Sequence, residues 1–381
     1  MIYLDNAATS FPKAPGVAEA VAACIRDLPG SPGRASHAFA VAASELMYSV
    51  RERLAAFLGV ARPERLAFTK NATEALNLAI MGYLAPRAGA RVLVSPFEHN
   101  SVMRPLRRLE ADRGLRVELF ACSPGGSPDL SALSRMLSGG ADLLVVTAAS
   151  NVTGAALPLT AIMGLARGAG VHVLVDASQL VGHRPFDIGA SGASLVAFSG
   201  HKGLLGPAGS GALYIAPGLE LEPLLRGGTG SASESEEQPG FLPDRFEAGT
   251  QNLAALAGLG AALEWLGIRG LAAIEEQERR QRARLAEGFR SIQGLSVLPC
   301  DDEEKALPVV SATSGPMSES DVALELDRRG IAIRMGLHCA PAAHRTAGSY
   351  QRGGSLRFSP GAFTTDGEID DTLAAMKEIM R

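Results

Sequence analysis

Short apolar runs, hardly interrupted by polar residues, recur along the first 215 residues and alternate with stretches of helical spacing. The runs are RVLVS (Arg91–Ser95), RVELF (Arg116–Phe120), LLVVT (Leu143–Thr147), VHVLV (Val171–Val175), LVAF (Leu195–Phe198) and GALYI (Gly211–Ile215). Runs apolar on both faces suit strands covered by helices on each side, as in a parallel sheet. Between them, Pro158–Gly170 has helical spacing and a glycine stop, the pattern of a crossover helix. The alternation predicts an α/β domain with a mostly parallel sheet, whose ligands would sit at the carboxyl ends of the strands. From Gly227 to Pro243 the chain turns rich in Gly, Ser and Glu, which predicts a long surface loop. Beyond Asn252 a long helical stretch, dense in charge from Glu275 to Arg284, leads to short strands and a final helix, Asp366–Met380. The expected division is a large domain of residues 16–252 and a smaller α+β domain of residues 1–15 and 253–381.

Composition narrows the functional classes. The chain has 381 residues, 46% of them hydrophobic, which suffices for a well-buried core. A net charge of -4 without any basic run argues against nucleic acid or an acidic lipid surface as main partner. The first residues, Met1 to Asp5, bring in a charge at once, so a signal peptide is not expected, and no run has the length to span a bilayer. The four cysteines (Cys24, Cys122, Cys300, Cys339) are far apart and form no CxxC pair, which reads as a reduced, cytoplasmic chain.

Candidate chemistry lies just after the strands. Glu98-His99-Asn100, Ser150-Asn151, Asp176 with Gln179, and Ser199-Gly200-His201-Lys202 each follow an apolar run. Singly, Asp176 reads as a helix N-cap, Asn151 as a turn former, His99 as a hydrogen-bonded surface histidine and Lys202 as a solvated lysine. Four strands delivering such groups to one edge argue against coincidence. Upstream, FTKNATEAL (68–76) resembles a capping box with Asn71 as N-cap and Glu74 three residues on. The N–H groups of Ala72 and Thr73, with the Thr73 hydroxyl, would then form an anion site. A lysine, an acid and a phosphate cradle together are what pyridoxal phosphate requires. No GxGxxG or P-loop competes: GPAGSG (206–211) has the wrong spacing and precedes a strand.

The segments YLDNAAT (3–9), EHNS (98–101), SNVTG (150–154), VDASQ (175–179), FSGHKGLLGPAGSGALYI (198–215), FEAGTQN (246–252) and RMGLHCAP (334–341) resemble the class V aminotransferase family. Within it the chain is most similar to cysteine desulfurases and selenocysteine lyases, with a cysteine motif of the second desulfurase group. The resemblance implies a PLP-dependent fold-type-I homodimer with a seven-stranded, mostly parallel sheet. It also implies roles for particular residues. Lys202 would carry the cofactor as a Schiff base, Asp176 would hold the ring nitrogen and His99 would stack on the ring. Asn151 and Gln179 would face its phenolic oxygen. Ala72, Thr73, Ser199 and His201 would hold the phosphate, joined by Thr250 of the neighbouring subunit. Arg357 would grip the substrate carboxylate, with Asn6 and Ala7 lining the substrate pocket. Leu337 stands where many relatives have a second histidine, and Met335 where a small residue is common.

Cys339 admits three readings: a buried hydrophobe, a metal ligand with His338 and His344, or a nucleophile. The resemblance implies the last, with L-cysteine as substrate, a persulfide on Cys339 and a sulfur-acceptor protein as partner. His338 and Arg334 are the candidates for favouring its thiolate. Cleavage of L-selenocysteine, or another class V reaction with Cys339 incidental, stays open at this point, as does a non-catalytic scaffold.

Overall fold

The protein is described by a computed structural model, which covers residues 1–33 and 37–381. Among the described residues seven strands form the central sheet: β2 (Leu66–Thr69), β3 (Arg91–Val94), β4 (Arg116–Leu119), β5 (Leu143–Thr147), β6 (His172–Asp176), β7 (Leu195–Ser199) and β8 (Gly211–Ile215). A short strand, β1 (Ile2–Tyr3), precedes them. Their order is β2-β8-β7-β6-β5-β3-β4, and β8 alone runs against its neighbours. The predicted strands are therefore present, with ends shifted by one residue at most. Strands β5, β7 and β8 are buried along their whole length, which their unbroken apolar runs require of a sheet covered on both faces.

Two apolar layers cover the sheet. One holds Leu144, Val146, Val173, Val175, Val196 and Phe198. The other holds Leu143, Val145, Leu174, Leu195 and Leu213 with the helix Ala72–Leu84. These sets alternate along each strand, as the two-residue period of a strand demands. The crossover helix spans Leu159–Gly168, inside its predicted bounds.

The C-terminal part builds a second core. An antiparallel sheet ordered β12-β13-β10-β9 is made of β9 (Leu295–Val297), β10 (Val310–Ser314), β12 (Arg334–Gly336) and β13 (Ser355–Phe358). Beside it, β1 pairs in parallel with β11 (Ile331–Ala332). Leu4, Phe289, Leu326, Phe358 and Met376 pack there. The long helical stretch after Asn252 is two helices, Leu253–Arg269 and Leu271–Arg290, bent by 81° at Gly270. The first, apolar nearly all round, packs with Leu256, Leu259 and Leu263 into the core of the large sheet. No single helix among the described residues is long and apolar enough to cross a membrane.

The segment 216–243 contains no regular helix or strand, and a buried ion pair fastens the chain just beyond it. Glu247 accepts from Arg51 Nη1 and Nη2 at 2.6 and 2.8 Å and from the Phe68 N–H at 2.6 Å. Both side chains are almost fully buried. Burial raises the Glu247 pKa, and Arg51 opposes it. A bidentate pair satisfied in this way tolerates burial, whereas either half alone would not.

Candidate active site

The carboxyl ends of β2, β3, β5, β6 and β7 meet at one edge of the sheet, and a cavity of about 250 Å³ lies there. Beyond β2, Asn71 caps the helix Ala72–Leu84 by accepting from the Glu74 N–H at 3.0 Å. The return contact of the expected capping box differs: the Glu74 carboxylate accepts from the N–H of Lys70, one residue before the cap. Beyond β3, His99 caps the helix Asn100–Arg113, and its Nδ1 accepts from the Ser101 N–H at 3.0 Å. That acceptor role puts the ring proton of neutral His99 on Nε2. Ser101 Oγ lies 2.9 Å from the same nitrogen and 2.8 Å from Thr73 Oγ1, so one hydroxyl joins histidine to helix start. At the last residue of β7, Ser199 Oγ accepts from the Ala72 N–H at 2.9 Å, and beyond it His201 and Lys202 turn into the cavity. Glycine is required beside them: a Cβ on Gly203 would lie 2.5 Å from the Val181 carbonyl oxygen.

Burial governs the charges here. It lowers the Lys202 pKa to about 8, with Asp176 opposing and Arg357 and Arg334 adding to the fall. Asp176 Oδ1 accepts from the N–H of Ser178 at 3.0 Å and from its hydroxyl, which fixes the carboxylate. Burial holds His99 and His201 down to about 4, so both imidazoles are neutral at physiological pH. Behind the cavity Glu98 is wholly buried; its Oε1 accepts from Ser95 Oγ and Thr147 N–H, and its Oε2 has no partner among the described residues. Burial pushes its carboxyl up to about 8, against hydrogen bonds from Ser95 and Thr147 and with a further push from Asp176.

The second core supplies the opposite wall. Arg357, on β13, is 2% exposed. It donates from Nη1 to the Asn151 carbonyl at 3.1 Å and from Nη2 to Asp5 Oδ1 at 2.8 Å, leaving Nε buried without a partner among the described residues. Arg334 faces it across the β12–β13 register, and both guanidiniums line the cavity. Like charges directly opposite are unfavourable, and here they gather positive charge where an anion could enter. His338 and Cys339 follow, with φ of 47° and 56°, the left-handed region that non-glycine residues rarely adopt. Two contacts hold them: Asn151 Nδ2 donates to the His338 carbonyl and the Asn100 N–H to the Cys339 carbonyl, each at 2.7 Å. Cys339 is exposed at the cavity.

The sequence matches the class-V aminotransferase family over residues 2–372. The chain belongs to that family. It is 33% identical over 385 residues to a probable cysteine desulfurase of Methanothermobacter thermautotrophicus, covering 99% of this chain and 94% of the relative. A cysteine desulfurase of Escherichia coli K12 is 33% identical over 388 residues, covering 100% of this chain and 94% of that one. Among solved structures, the apo cysteine desulfurase of Thermococcus onnurineus superposes with a TM-score of 0.93 at 31% identity, covering 100% of this chain and 94% of that one.

In this class-V chain most of the residues singled out by sequence line one cavity: Ala7, Ala72, Thr73, His99, Asn151, Asp176, Gln179, Ser199, His201, Lys202, Cys339 and Arg357. Two do not. Asn6 is buried beside it, with Nδ2 donating to the Ser359 carbonyl and Oδ1 accepting from the Phe11 N–H, so it ties down the N-terminal segment. Thr250 is exposed and lines a separate cavity of about 310 Å³ with Leu224 and Leu225. Asn151 and Gln179 each commit an amide hydrogen to backbone, Gln179 to the Ala7 carbonyl at 2.9 Å. His338 is corrected as a thiolate stabiliser. Burial drives its pKa down to about 2, with Arg357, His344 and Arg334 adding to the fall. A neutral imidazole brings no positive charge to the cavity, whereas the Arg334 guanidinium, which lines it, does. Among the described residues no three His, Cys, Asp or Glu side chains cluster as metal ligands would. The sequence gives no role to Glu98, Ser101 or Ser178, although each lies within two residues of one that it does.

Glu98 generates a prediction. Its folded pKa of about 8 lies above the ordinary value of 4.5, so between these values the folded chain holds a proton that the unfolded chain releases. Its contribution is therefore fully present below the lower value and lost as pH rises through the upper, with a slope of up to about 1.4 kcal/mol per pH unit. Glu98→Gln keeps an acceptor for Ser95 and Thr147 and cannot ionise. In urea unfolding at pH 5, 7 and 9, the variant should gain on the wild type as pH rises. A constant difference would show that Glu98 does not titrate in this window.

Proposed function

We propose that the chain is a pyridoxal-phosphate-dependent cysteine desulfurase, which converts L-cysteine to L-alanine and takes the sulfur onto Cys339. The observation that supports this most strongly is that the exposed Cys339 thiol shares one cavity with Lys202, Asp176 and Arg357. The residues fit the cofactor. Lys202 is the only lysine lining the cavity among the described residues and would hold it covalently. Asp176, its carboxylate fixed by Ser178, would meet the ring nitrogen, and neutral His99 would stack on the ring. Asn151 and Gln179 would approach the phenolic side with the amide capacity their backbone contacts leave. Thr73, Ser199 and His201 would surround the phosphate at a helix start, with Ala72 beside them, although its N–H, expected to be free, is given to Ser199 Oγ. Once bound, the cofactor supplies the electron sink that makes the substrate's α-proton acidic and its sulfur open to attack.

The chain's own groups do the rest. Arg357 has a buried Nε–H, unpartnered among the described residues, to offer a substrate carboxylate, and Asp5 holds the guanidinium in place. Ala7 closes the substrate side of the pocket. Lys202, with its pKa lowered to about 8, can take the α-proton at its amine near neutral pH. The Cys339 thiolate attacks the substrate sulfur: a sulfur–sulfur bond forms, the carbon–sulfur bond breaks, and carbon keeps the electron pair. Protonation at that carbon gives alanine, and the persulfide remains on Cys339, exposed to a thiol-bearing acceptor protein.

The working unit is a homodimer. Thr250 lies outside its own chain's cavity, and Leu224 and Leu225, beside it, are 39% and 51% exposed. A neighbouring subunit would cover these leucines and receive Thr250 at its phosphate cradle. A sedimenting monomer with full activity and undiminished cofactor affinity would contradict this arrangement.

Cys339→Ser tests the reading as a whole. The variant should bind cofactor and L-cysteine as the wild type does, because Lys202, Asp176 and Arg357 are untouched. With a thiol reductant present, sulfide release over many turnovers should fall by at least ~100-fold, since a hydroxyl is a poor nucleophile at neutral pH. Release at the wild-type rate would show that Cys339 is not the nucleophile and favour another class V reaction.

A further inference from the structure

The carbonyl oxygen of His201 belongs to the peptide bond that joins His201 to Lys202, and four donors converge on it. They are the Ser10 N–H at 3.0 Å, Ser10 Oγ at 3.1 Å, Thr9 Oγ1 at 3.2 Å and Lys13 Nζ at 3.0 Å. A carbonyl oxygen has two lone pairs, so two donors would satisfy it. Here the network is closed as well as crowded. Lys13 also donates to Thr9 Oγ1 at 3.2 Å and Ser10 Oγ at 3.0 Å, so each hydroxyl accepts from the ammonium and donates to the same carbonyl.

Lys13 is an expensive residue to put there. It is half-buried, no carboxylate among the described residues forms an ion pair with it, and burial lowers its pKa to about 8. Drawing an ammonium out of water without an anion is destabilising, so stability alone does not account for it. On the other side of the turn a Cβ on Gly203 would lie 2.5 Å from the Val181 carbonyl oxygen, so the backbone just after Lys202 has little room on that side. The segment bearing the clamp is itself tied to the substrate side of the cavity, through Asp5 to Arg357 and through Asn6 to the Ser359 carbonyl.

We propose that Lys13, together with Thr9 and Ser10, is a positioning residue for Lys202, fixing the His201–Lys202 peptide so that the lysine amine is presented to the cavity in one place. The proposal rests on the reading of Lys202 as the cofactor lysine. Lys13 is placed to act through the backbone, because its ammonium donates to the carbonyl of the peptide bond that carries Lys202.

The test uses the full-length chain freed of cofactor. Pyridoxal phosphate is added, samples are quenched with borohydride over time, and peptide mapping follows the pyridoxyl label. The wild type should be labelled at Lys202. Lys13→Met should slow that labelling about tenfold and lower kcat for L-cysteine to a similar degree, with KM within about twofold, because misplacing a reacting group costs rate more than binding. Lys13→Arg, which keeps charged donors, should restore most of both rates. Should Lys13→Met fail to fold, Thr9→Val removes one donor from the same carbonyl and should slow labelling in the same direction. Labelling of Lys202 at the wild-type rate in the folded variant overturns the clamp and leaves the desulfurase reading intact. A wild type labelled on a different lysine overturns both.

Discussion

An amine, a carboxylate and a guanidinium share one cavity at the end of an apolar sheet, and desolvation of those charges is the constraint on which the rest of the structure turns. Burial lowers the Lys202 pKa and Asp176 opposes it, and the balance leaves the amine at about 8, where it can gain or lose a proton at physiological pH. Burial also strips His99 and His201 of charge, which leaves them as neutral donors and acceptors rather than rivals to Lys202. The sheet makes this possible because its apolar strands end together. Ser199, Asp176 and Thr147 close adjacent strands, with Thr147 opposite Asp176 in the register.

The wall facing the sheet is built from distant parts of the sequence, and strain marks where it matters. His338 and Cys339 stand consecutively in the left-handed region, at a cost of about 1–2 kcal/mol each for non-glycine residues. The carbonyl contacts from Asn151 and Asn100 offset that cost and aim the thiol into the cavity from a fixed backbone. The N-terminal segment performs the corresponding task for Lys202. Residues 5–13 run from the Arg357 guanidinium to the His201 carbonyl, so the carboxylate-binding side and the lysine side are fastened by one short stretch of chain.

The strands were legible because each is a compact apolar run, and the strand-end residues because chemistry in such sheets gathers at carboxyl ends. Most of the site followed from that single rule together with the family motifs. What stayed hidden depends on tertiary placement. Glu98 sits in the same EHNS motif as His99, yet only the fold reveals that its carboxyl is buried behind the cavity and bridges β3 to β5. His338 looks like a cation in the sequence; its burial against two arginines makes it neutral. Lys13 reads as one more surface lysine, since nothing local signals a carbonyl 188 residues away. The helix Leu253–Arg269 is apolar nearly all round, so its sequence gives no face by which to choose the core it joins.

The central claim is that sulfur passes to Cys339 and to no other cysteine. Cys24 is buried in its helix, and burial pushes the Cys122 thiol up to about 12 and raises Cys300 as well, so none of these offers a ready thiolate. The direct measurement is mass spectrometry of the cofactor-loaded wild type, mixed with L-cysteine without reductant and blocked with an alkylating agent. The account predicts one added sulfur atom on the peptide containing Cys339, formed together with one alanine per chain. Alanine formed with the sulfur on a different cysteine, or with no sulfur bound to the chain, would contradict it.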